Sequence, residues 1–151
     1  MVKSRSDNLK QKGNVLIMTA LLMPLFLMLC GMVIDIGRAF AFKAEINRAC
    51  MISAEEAAKE INIDIAQQSG SSRLTGNYAD TINKFFYLNI GQADNFSIKS
   101  IEYDVVDSVS FPKYINVYAS AEINCFFLKL VGIERITVNS HGNGRLKKIS
   151  N

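Results

Sequence analysis

The chain has 151 residues, of which 49% are hydrophobic and 21% are charged, a balance that is typical of folded proteins and excludes intrinsic disorder. Its net charge of +3 is small and scattered, and no RNP-like, zinc-finger or helix-turn-helix pattern occurs, so we expect no nucleic-acid partner. It also has no P-loop, no dinucleotide fingerprint and no cluster of metal-binding side chains, and its one histidine, His141, falls on the polar face of a predicted strand. We therefore expect no catalytic, cofactor or metal site, and no enzyme.

An uncharged run of twenty residues, 15–34, is the strongest pattern in the N-terminal part of the chain. As a helix it would be ~30 Å long, which matches the hydrocarbon core of a bilayer and predicts a transmembrane helix. The run is longer than the apolar part of a signal peptide, so we expect a retained anchor; cleavage is the alternative. The tail 1–14 is short and basic, which favours a cytoplasmic N-terminus and a C-terminal domain outside the membrane.

Beyond the membrane segment, residues 35–66 predict an external helical rod. Apolar side chains recur there at spacings of three or four, the period of an amphipathic helix. These are Ala39, Phe42, Ile46, Cys50, Ala54, Ala57, Ile61 and Ile65. This stripe has two interpretations: it buries the chain's own small domain, or part of it packs on other subunits.

A small domain follows a polar linker, 67–77. We expect it to cover 78–145, before a basic tail at 146–151. Its first element is a helix over 78–89, which would bury Ile82, Phe85, Phe86 and Leu88.

Three strands are predicted after this helix. The first strand changes its alternation phase near Lys99 and Ser100, which indicates a β-bulge, and the loop 107–112 joins it to the second strand as a hairpin. A short helical turn over 126–131 ends at Gly132. The third strand covers 135–140, buries Ile136 and Val138, and is ended by Gly142 and Gly144. The predicted fold class is α+β: a long N-terminal transmembrane helix that continues into an external amphipathic helix, then a small domain with a helix and a three-stranded antiparallel sheet.

Two further features leave alternatives open. Cys50 and Cys125 lie outside the membrane segment, where they form either one disulfide or two buried free thiols. Asp35, Gly37 and Arg38 lie at the membrane edge, where the two charges are either an interfacial ion pair or a docking contact for another protein.

Several of these residues resemble the Tad domain, the N-terminal module of TadE/TadG-like proteins of the bacterial Flp, or tight adherence, pilus system. The matching positions are Gly13-Asn14-Val15, Pro24-Leu25, Gly31-x-x-Ile34-Asp35-Ile36-Gly37-Arg38 and Ile46-Asn47-x-Ala49. The later segment Phe127-Leu-Lys-Leu130-Val-Gly132-Ile, followed by Ile136-Thr-Val138, resembles the closing segment of the same family.

This resemblance implies a membrane-anchored, pseudopilin-like component of a type IVc pilus assembly or a related secretion apparatus. It also implies a bacterial cytoplasmic (inner) membrane location with the C-terminal domain in the periplasm or outside the cell. The implied partners are membrane lipid and other pilus-assembly subunits, which would contact the transmembrane segment and the rod in a hetero-oligomer.

TadE-type prepilins resemble type IV prepilins, which are cleaved after a glycine and carry glutamate at the fifth mature position. Cleavage after Gly13 would make Asn14 the first residue here and place Met18 fifth. The unprocessed, TadG-like form is therefore preferred. The alternatives are a processed TadE-type minor pilin and an anchored adhesin or surface-binding module that works without a pilus.

Overall fold

The structure is a computed structural model that describes residues 4–60, 74, 77–91, 96–108 and 111–146. It has two helices, α1 (Ser4–Ala57) and α2 (Tyr78–Asn89), and three strands, β1 (Phe96–Ser108), β2 (Phe111–Asn124) and β3 (Arg135–Arg145). A 3₁₀ helix, Leu128–Val131, lies between β2 and β3. The α+β class, the long apolar N-terminal helix and the three-stranded antiparallel sheet are confirmed.

Helix α1 is one continuous element of 54 residues that contains Pro24. It begins at Ser4, so most of the predicted basic tail, 1–14, is helical too. The helix contains one candidate membrane span by length and composition, and only 6% of its most apolar window is buried. Large side chains of this segment, such as Leu21 and Leu16, are more than 70% exposed, so its apolar surface does not form part of the chain's own core.

The chain divides into two compact units. One consists of Met1–Gly37 together with Cys125–Glu134, and the other of Arg38–Asn124 together with Arg135–Asn151. Helix α1 contributes residues to both. The predicted boundaries of the linker 67–77 and of the small domain 78–145 stay predictions.

In the second unit the sheet has the order β1-β2-β3, with both pairs antiparallel. Strand β2 is central, and Ala119 pairs with Ile101 on one side and with Ser140 on the other. A register shift between Ile98 and Ser100 confirms the predicted bulge. Strand β2 has one buried face, because its alternate residues Ile115, Val117, Ala119, Ala121 and Ile123 are all buried.

The core of this unit is formed where the sheet and α2 meet the C-terminal half of α1. The buried residues of α1 are mostly small, which allows close approach. They are Ala39, Ile46, Ala49, Cys50, Ser53, Ala54 and Ala57. The helical stripe therefore buries the chain's own domain, the first of its two interpretations; Ile61 and Ile65 lie outside the described residues.

Helix α2 has the predicted bounds but buries fewer side chains than expected. Ile82 and Phe86 are fully buried, and Phe85 is half-buried. Leu88 is 68% exposed, so its predicted burial is wrong. Ile82 and Phe86 are four residues apart and share one face, whereas Leu88 lies two residues further on and faces away.

Strand β3 differs most from its prediction, because it continues through Gly142 and Gly144 to Arg145. Both glycines lie against the backbone of α1: a Cβ atom at Gly142 would be 2.3 Å from the Met51 nitrogen, and one at Gly144 would be 2.0 Å from the Ala54 oxygen. Glycine is required here for close approach rather than for ending the strand. Leu146, which was assigned to the basic tail, is buried in the core.

Candidate functional site

Asp35 is the charged residue that follows the apolar run of α1 directly, and its side chain is only 2% exposed. Its carboxylate accepts hydrogen bonds from three consecutive backbone amides of the same unit. Oδ2 accepts from the nitrogens of Phe126 (3.0 Å), Phe127 (2.7 Å) and Leu128 (2.8 Å), and Oδ1 accepts from Phe126 (3.1 Å). Three backbone donors thus converge on one buried carboxylate.

The three amides need an acceptor because they precede and begin the 3₁₀ helix Leu128–Val131. The first amides of a helix have no partner within it, and a carboxylate near them is favoured by the helix dipole. Phe127, at the N-cap position, has no side-chain oxygen to accept these bonds. Asp35 supplies the missing acceptor from another part of the chain.

Gly31 lies four residues before Asp35 on the same face of α1, and it leaves space there for the Phe127 ring. A Cβ atom at Gly31 would be 2.4 Å from the Phe127 ring, so any other side chain would displace the aromatic ring. Gly31 and Asp35 together form a socket for Phe127: Gly31 leaves room for the aromatic ring, and the carboxylate of Asp35 binds the backbone amide. We call the segment Cys125–Glu134 the docking loop.

Four further backbone hydrogen bonds close the docking loop on itself. The nitrogen of Cys125 donates to Glu134 (2.9 Å), and that of Leu130 donates to Phe127 (3.0 Å). Gly132 donates to Lys129 (3.1 Å), and Ile133 donates to Leu128 (3.0 Å). Gly132 has a φ of +87°, the left-handed conformation that glycine adopts without strain, and it ends the turn as predicted.

The other predicted site residues lie elsewhere. Gly13 and Asn14 are both inside α1. Gly37 lies on an open face of the helix, since a Cβ atom there would meet no atom within 4 Å. Arg38 is half-buried. The structure thus gives Asp35 a partner in its own chain, and docking of another protein at Gly37 and Arg38 stays a prediction.

The three cysteines carry free thiols in this structure, with Cys30 exposed and Cys50 and Cys125 buried. Burial raises the pKa of the Cys50 thiol to about 11, because a thiolate would lose its hydration there. Thiolate is the form that attacks or exchanges, so Cys50 is poorly reactive near neutral pH. The disulfide between Cys50 and Cys125 stays a prediction, which thiol counting under denaturing, non-reducing conditions tests.

On the solvent side of the sheet, Glu122 is paired with Lys99 (3.1 Å) and with Arg135 (3.2 Å) across two neighbouring strands. The hydrogen bond from Lys99, and then that from Arg135, lower the pKa of Glu122. His141 is also exposed and stacks on Tyr118, with the ring centroids 6.4 Å apart. These are solvated cross-strand contacts of the usual kind.

Within the described part of the chain, no group of three histidine, cysteine or acidic side chains is placed to hold a metal ion. The arrangement at Asp35 is a structural contact, in which a buried anion binds backbone amides. Sequence reasoning identified Asp35 at the membrane edge but missed its partner. The docking loop appeared only as a short apolar turn, and nothing local in the sequence marks its amides as unpaired donors. No protein-family model matches the chain, and neither the curated proteins nor the solved structures include a match to it.

Proposed function

We propose that the protein is a membrane-anchored, pseudopilin-like component of a Flp/Tad (type IVc) pilus assembly or of a related secretion apparatus. It acts by packing against other subunits rather than by catalysis. Its N-terminus lies in the cytoplasm of a bacterium, α1 crosses the inner membrane, and the domain beyond it is periplasmic or extracellular. The observation that carries the proposal is the contact between Asp35 and the docking loop.

That contact supports the proposal because it joins the two segments that resemble the Tad family. Gly31 and Asp35 belong to the first of them, and Phe127 and Leu128 belong to the second. The two segments are far apart in the sequence, since Phe126 follows Asp35 by 91 positions. A resemblance limited to a chance apolar run would not explain why these residues bind one another.

The anchor is supported by the exposure of its apolar side chains. Val15, Leu21 and Phe26 are 63%, 73% and 66% exposed. Burial of apolar surface contributes roughly 25 cal/mol per Å², so a helix with this surface is stable when lipid or another helix covers it. A single-pass anchor satisfies that requirement.

A face of α1 near the membrane edge supports packing on other subunits. Gly37 has no neighbour that requires a glycine, although glycine costs about 1 kcal/mol in a helix relative to alanine. Val33 and Ile34, one turn earlier, are 69% and 53% exposed. A small residue beside exposed apolar side chains lets a second helix approach closely at this edge of the span.

Substitution at Gly37 tests this function directly. The tagged protein is purified in mild detergent after cross-linking in the cell that makes it, and the recovered proteins are identified. We expect the native chain to recover other pilus-assembly subunits. Gly37→Leu should recover at least tenfold less of them, which corresponds to a loss of about 1.4 kcal/mol of packing free energy. Gly37→Ala should recover nearly as much as the native chain. Normal yield and helix content of both variants are the control for folding.

Recovery of no pilus-assembly subunit by the native chain would contradict the proposal and favour an anchored adhesin. The mature N-terminus separates the remaining variants. Mass spectrometry that finds a chain starting upstream of Gly13 supports the unprocessed component. A start at Asn14 assigns the chain to the processed minor pilins instead.

A further inference from the structure

We propose that the docking loop, Cys125–Glu134, is a second membrane-contacting element, which inserts its apolar side chains into the bilayer interface beside α1. Its partner is lipid. This inference rests on the proposed anchor function of α1 and adds to it a contact that the apolar run does not itself provide. It concerns one compact unit, Met1–Gly37 with Cys125–Glu134.

The depth of the docking loop along α1 is fixed by two contacts. The carboxylate of Asp35 binds the amides of Phe126, Phe127 and Leu128, and Gly31 accommodates the Phe127 ring. Gly31 lies four residues before Asp35, or about 6 Å along the helix axis, and thus inside the apolar run. If α1 crosses a bilayer, the docking loop lies at the level of the last turn of the membrane span.

The outward surface of the docking loop is apolar. Leu130 is 72% exposed, Phe126 57%, Ile133 47% and Val131 45%. Four exposed apolar side chains within ten residues give the docking loop an apolar surface, and exposed apolar surface of this kind marks interaction sites. The charged residues of the loop are Lys129 and Glu134, and the lysine stem is long enough to carry its ammonium group to the headgroups.

The backbone of the docking loop is also suited to a medium without water. Irregular backbone is costly in lipid because each unpaired amide or carbonyl loses its hydration. Here the amides of Phe126, Phe127 and Leu128 are bound by Asp35. Four more, those of Cys125, Leu130, Gly132 and Ile133, are bound within the loop. Seven of the ten backbone amides of the docking loop thus bind an acceptor in the same unit, which lowers the cost of placing this irregular backbone against lipid.

Lipid fits this surface better than a second protein does, because the neighbouring surface of the unit is the exposed apolar span itself. Ile34 and Ile36 are 53% and 45% exposed on the adjoining turn of α1. The apolar surface of the docking loop therefore lies beside the part of the helix that lipid covers. A second copy of the chain on this surface is the competing outcome, which the experiment distinguishes.

The chain contains no tryptophan, so single tryptophans report without background. Leu130→Trp probes the docking loop, and Met23→Trp probes the middle of the span. Leu88→Trp, on α2 in the other unit, is matched to Leu130 in residue type and in exposure (68% against 72%). Each full-length variant is reconstituted into phosphatidylcholine and phosphatidylglycerol vesicles whose acyl chains carry bromine near the headgroups or near the chain ends.

We expect the emission of Leu130→Trp to be blue-shifted and to lose more intensity to shallow than to deep bromines. Met23→Trp should show the reverse order. Leu88→Trp should lose less intensity than either and should be quenched by acrylamide in the water. Ile133→Trp is the second probe of the loop, used where Leu130→Trp does not reconstitute, and the same loss is expected from it.

Quenching of Met23→Trp without quenching of the loop probes would overturn the inference and leave the anchor intact. Absence of quenching in all variants would overturn both the inference and the anchor. A blue-shifted loop probe that neither bromine quenches would show a covering protein instead of lipid, and this also overturns the inference. The pilus function is tested separately by the co-purification experiment, so the two failures are distinguishable.

Discussion

The carboxylate of Asp35 binds backbone amides of its own chain. An aspartate that follows an apolar helix segment directly would ordinarily face the headgroups or an opposite charge. Here its side chain is 2% exposed, and its oxygens accept hydrogen bonds from three backbone amides. Hydrogen bonds to a charged acceptor contribute more than neutral ones, and removal of the acceptor leaves several buried donors without a partner.

Replacement of Asp35 by alanine should therefore release the docking loop from the helix. We expect the amides of Phe126, Phe127 and Leu128 to lose about 2 kcal/mol of local stability, or to exchange hydrogen roughly 30-fold faster. Hydrogen exchange of the detergent-solubilised protein, read by mass spectrometry over this segment, measures the change. Asp104→Ala, which removes an exposed carboxylate of β1, is the matched control.

Equal exchange rates in Asp35→Ala and the native chain would show that the loop is held by other contacts. Asp35→Asn distinguishes charge from geometry. It keeps one carbonyl acceptor in the same place, so we expect an intermediate increase in the exchange rate.

At the scale of elements, the absence of side chains at two glycines allows β3 to lie close to α1. Its buried alternate residues are Val138, Ser140, Gly142 and Gly144, so the side chains become smaller along the strand until only backbone faces α1. Ser140 adds a direct link, because its hydroxyl donates to the Lys43 carbonyl (3.2 Å). The helix matches this taper with small residues such as Ala54. The strand and the helix thus meet backbone to backbone.

Alanine at Gly144 should force the strand away from the helix. The added Cβ atom would lie 2.0 Å from the Ala54 oxygen, and a backbone atom cannot move aside as a flexible side chain can. We expect a loss of about 3 kcal/mol in the free energy of unfolding, at the upper end for overpacked cores. Denaturant titration followed by circular dichroism measures it.

Gly37→Ala is the opposite control for the same substitution. Its added methyl group meets no atom within 4 Å, so only helix propensity changes and stability should rise by about 1 kcal/mol. If Gly144→Ala were as stable as Gly37→Ala, the close contact between β3 and α1 would be wrong.

The elements that carry a local pattern were predictable from the sequence. Strand β2 alternates apolar and polar residues without interruption, and the change of phase between Ile98 and Ile101 located the bulge. Strand β3 could not be bounded in the same way. Glycine has no side chain to show on which face it lies, so Gly142 and Gly144 gave the signal of a strand end although they are buried within it.

For the whole molecule, α1 is the element that both compact units share. Its first part carries the candidate span and the socket for the docking loop, and its last part carries the apolar stripe that α2 and the sheet cover. The span was predictable because its uncharged run matches the thickness of a bilayer, and the stripe because its apolar residues recur with the period of a helix. The socket was not, because Asp35 and Phe126 are separated by 91 positions and neither residue alone indicates the other.

The pH dependence of global stability should reflect Cys50. The folded pKa of Cys50 is about 11, above the ordinary value of 9.0, so the thiol is neutral in both states below about pH 8 and no stability is lost there. As the pH rises through 9 towards 11, the thiol ionises in the unfolded chain first, and the folded state loses stability, by about 2 kcal/mol at pH 11.

Comparison of the native chain with Cys50→Ala isolates this contribution from other titrating groups. The difference between their free energies of unfolding should be constant up to about pH 8 and should then shift progressively in favour of the alanine variant. A constant difference up to pH 11 would show that the Cys50 thiol is hydrated in the folded state.

The contact between Asp35 and residues 126–128 also orders events during biosynthesis. A chain emerges from its N-terminus, so the apolar segment and Asp35 leave the ribosome when the amides that will bind this carboxylate have still to be made. The carboxylate of Asp35 therefore stays hydrated until the connection between β2 and β3 has been translated. Only then does the socket close, and a chain truncated before Phe126 keeps a solvated charge directly after its apolar run, a feature by which incomplete copies differ physically from finished ones.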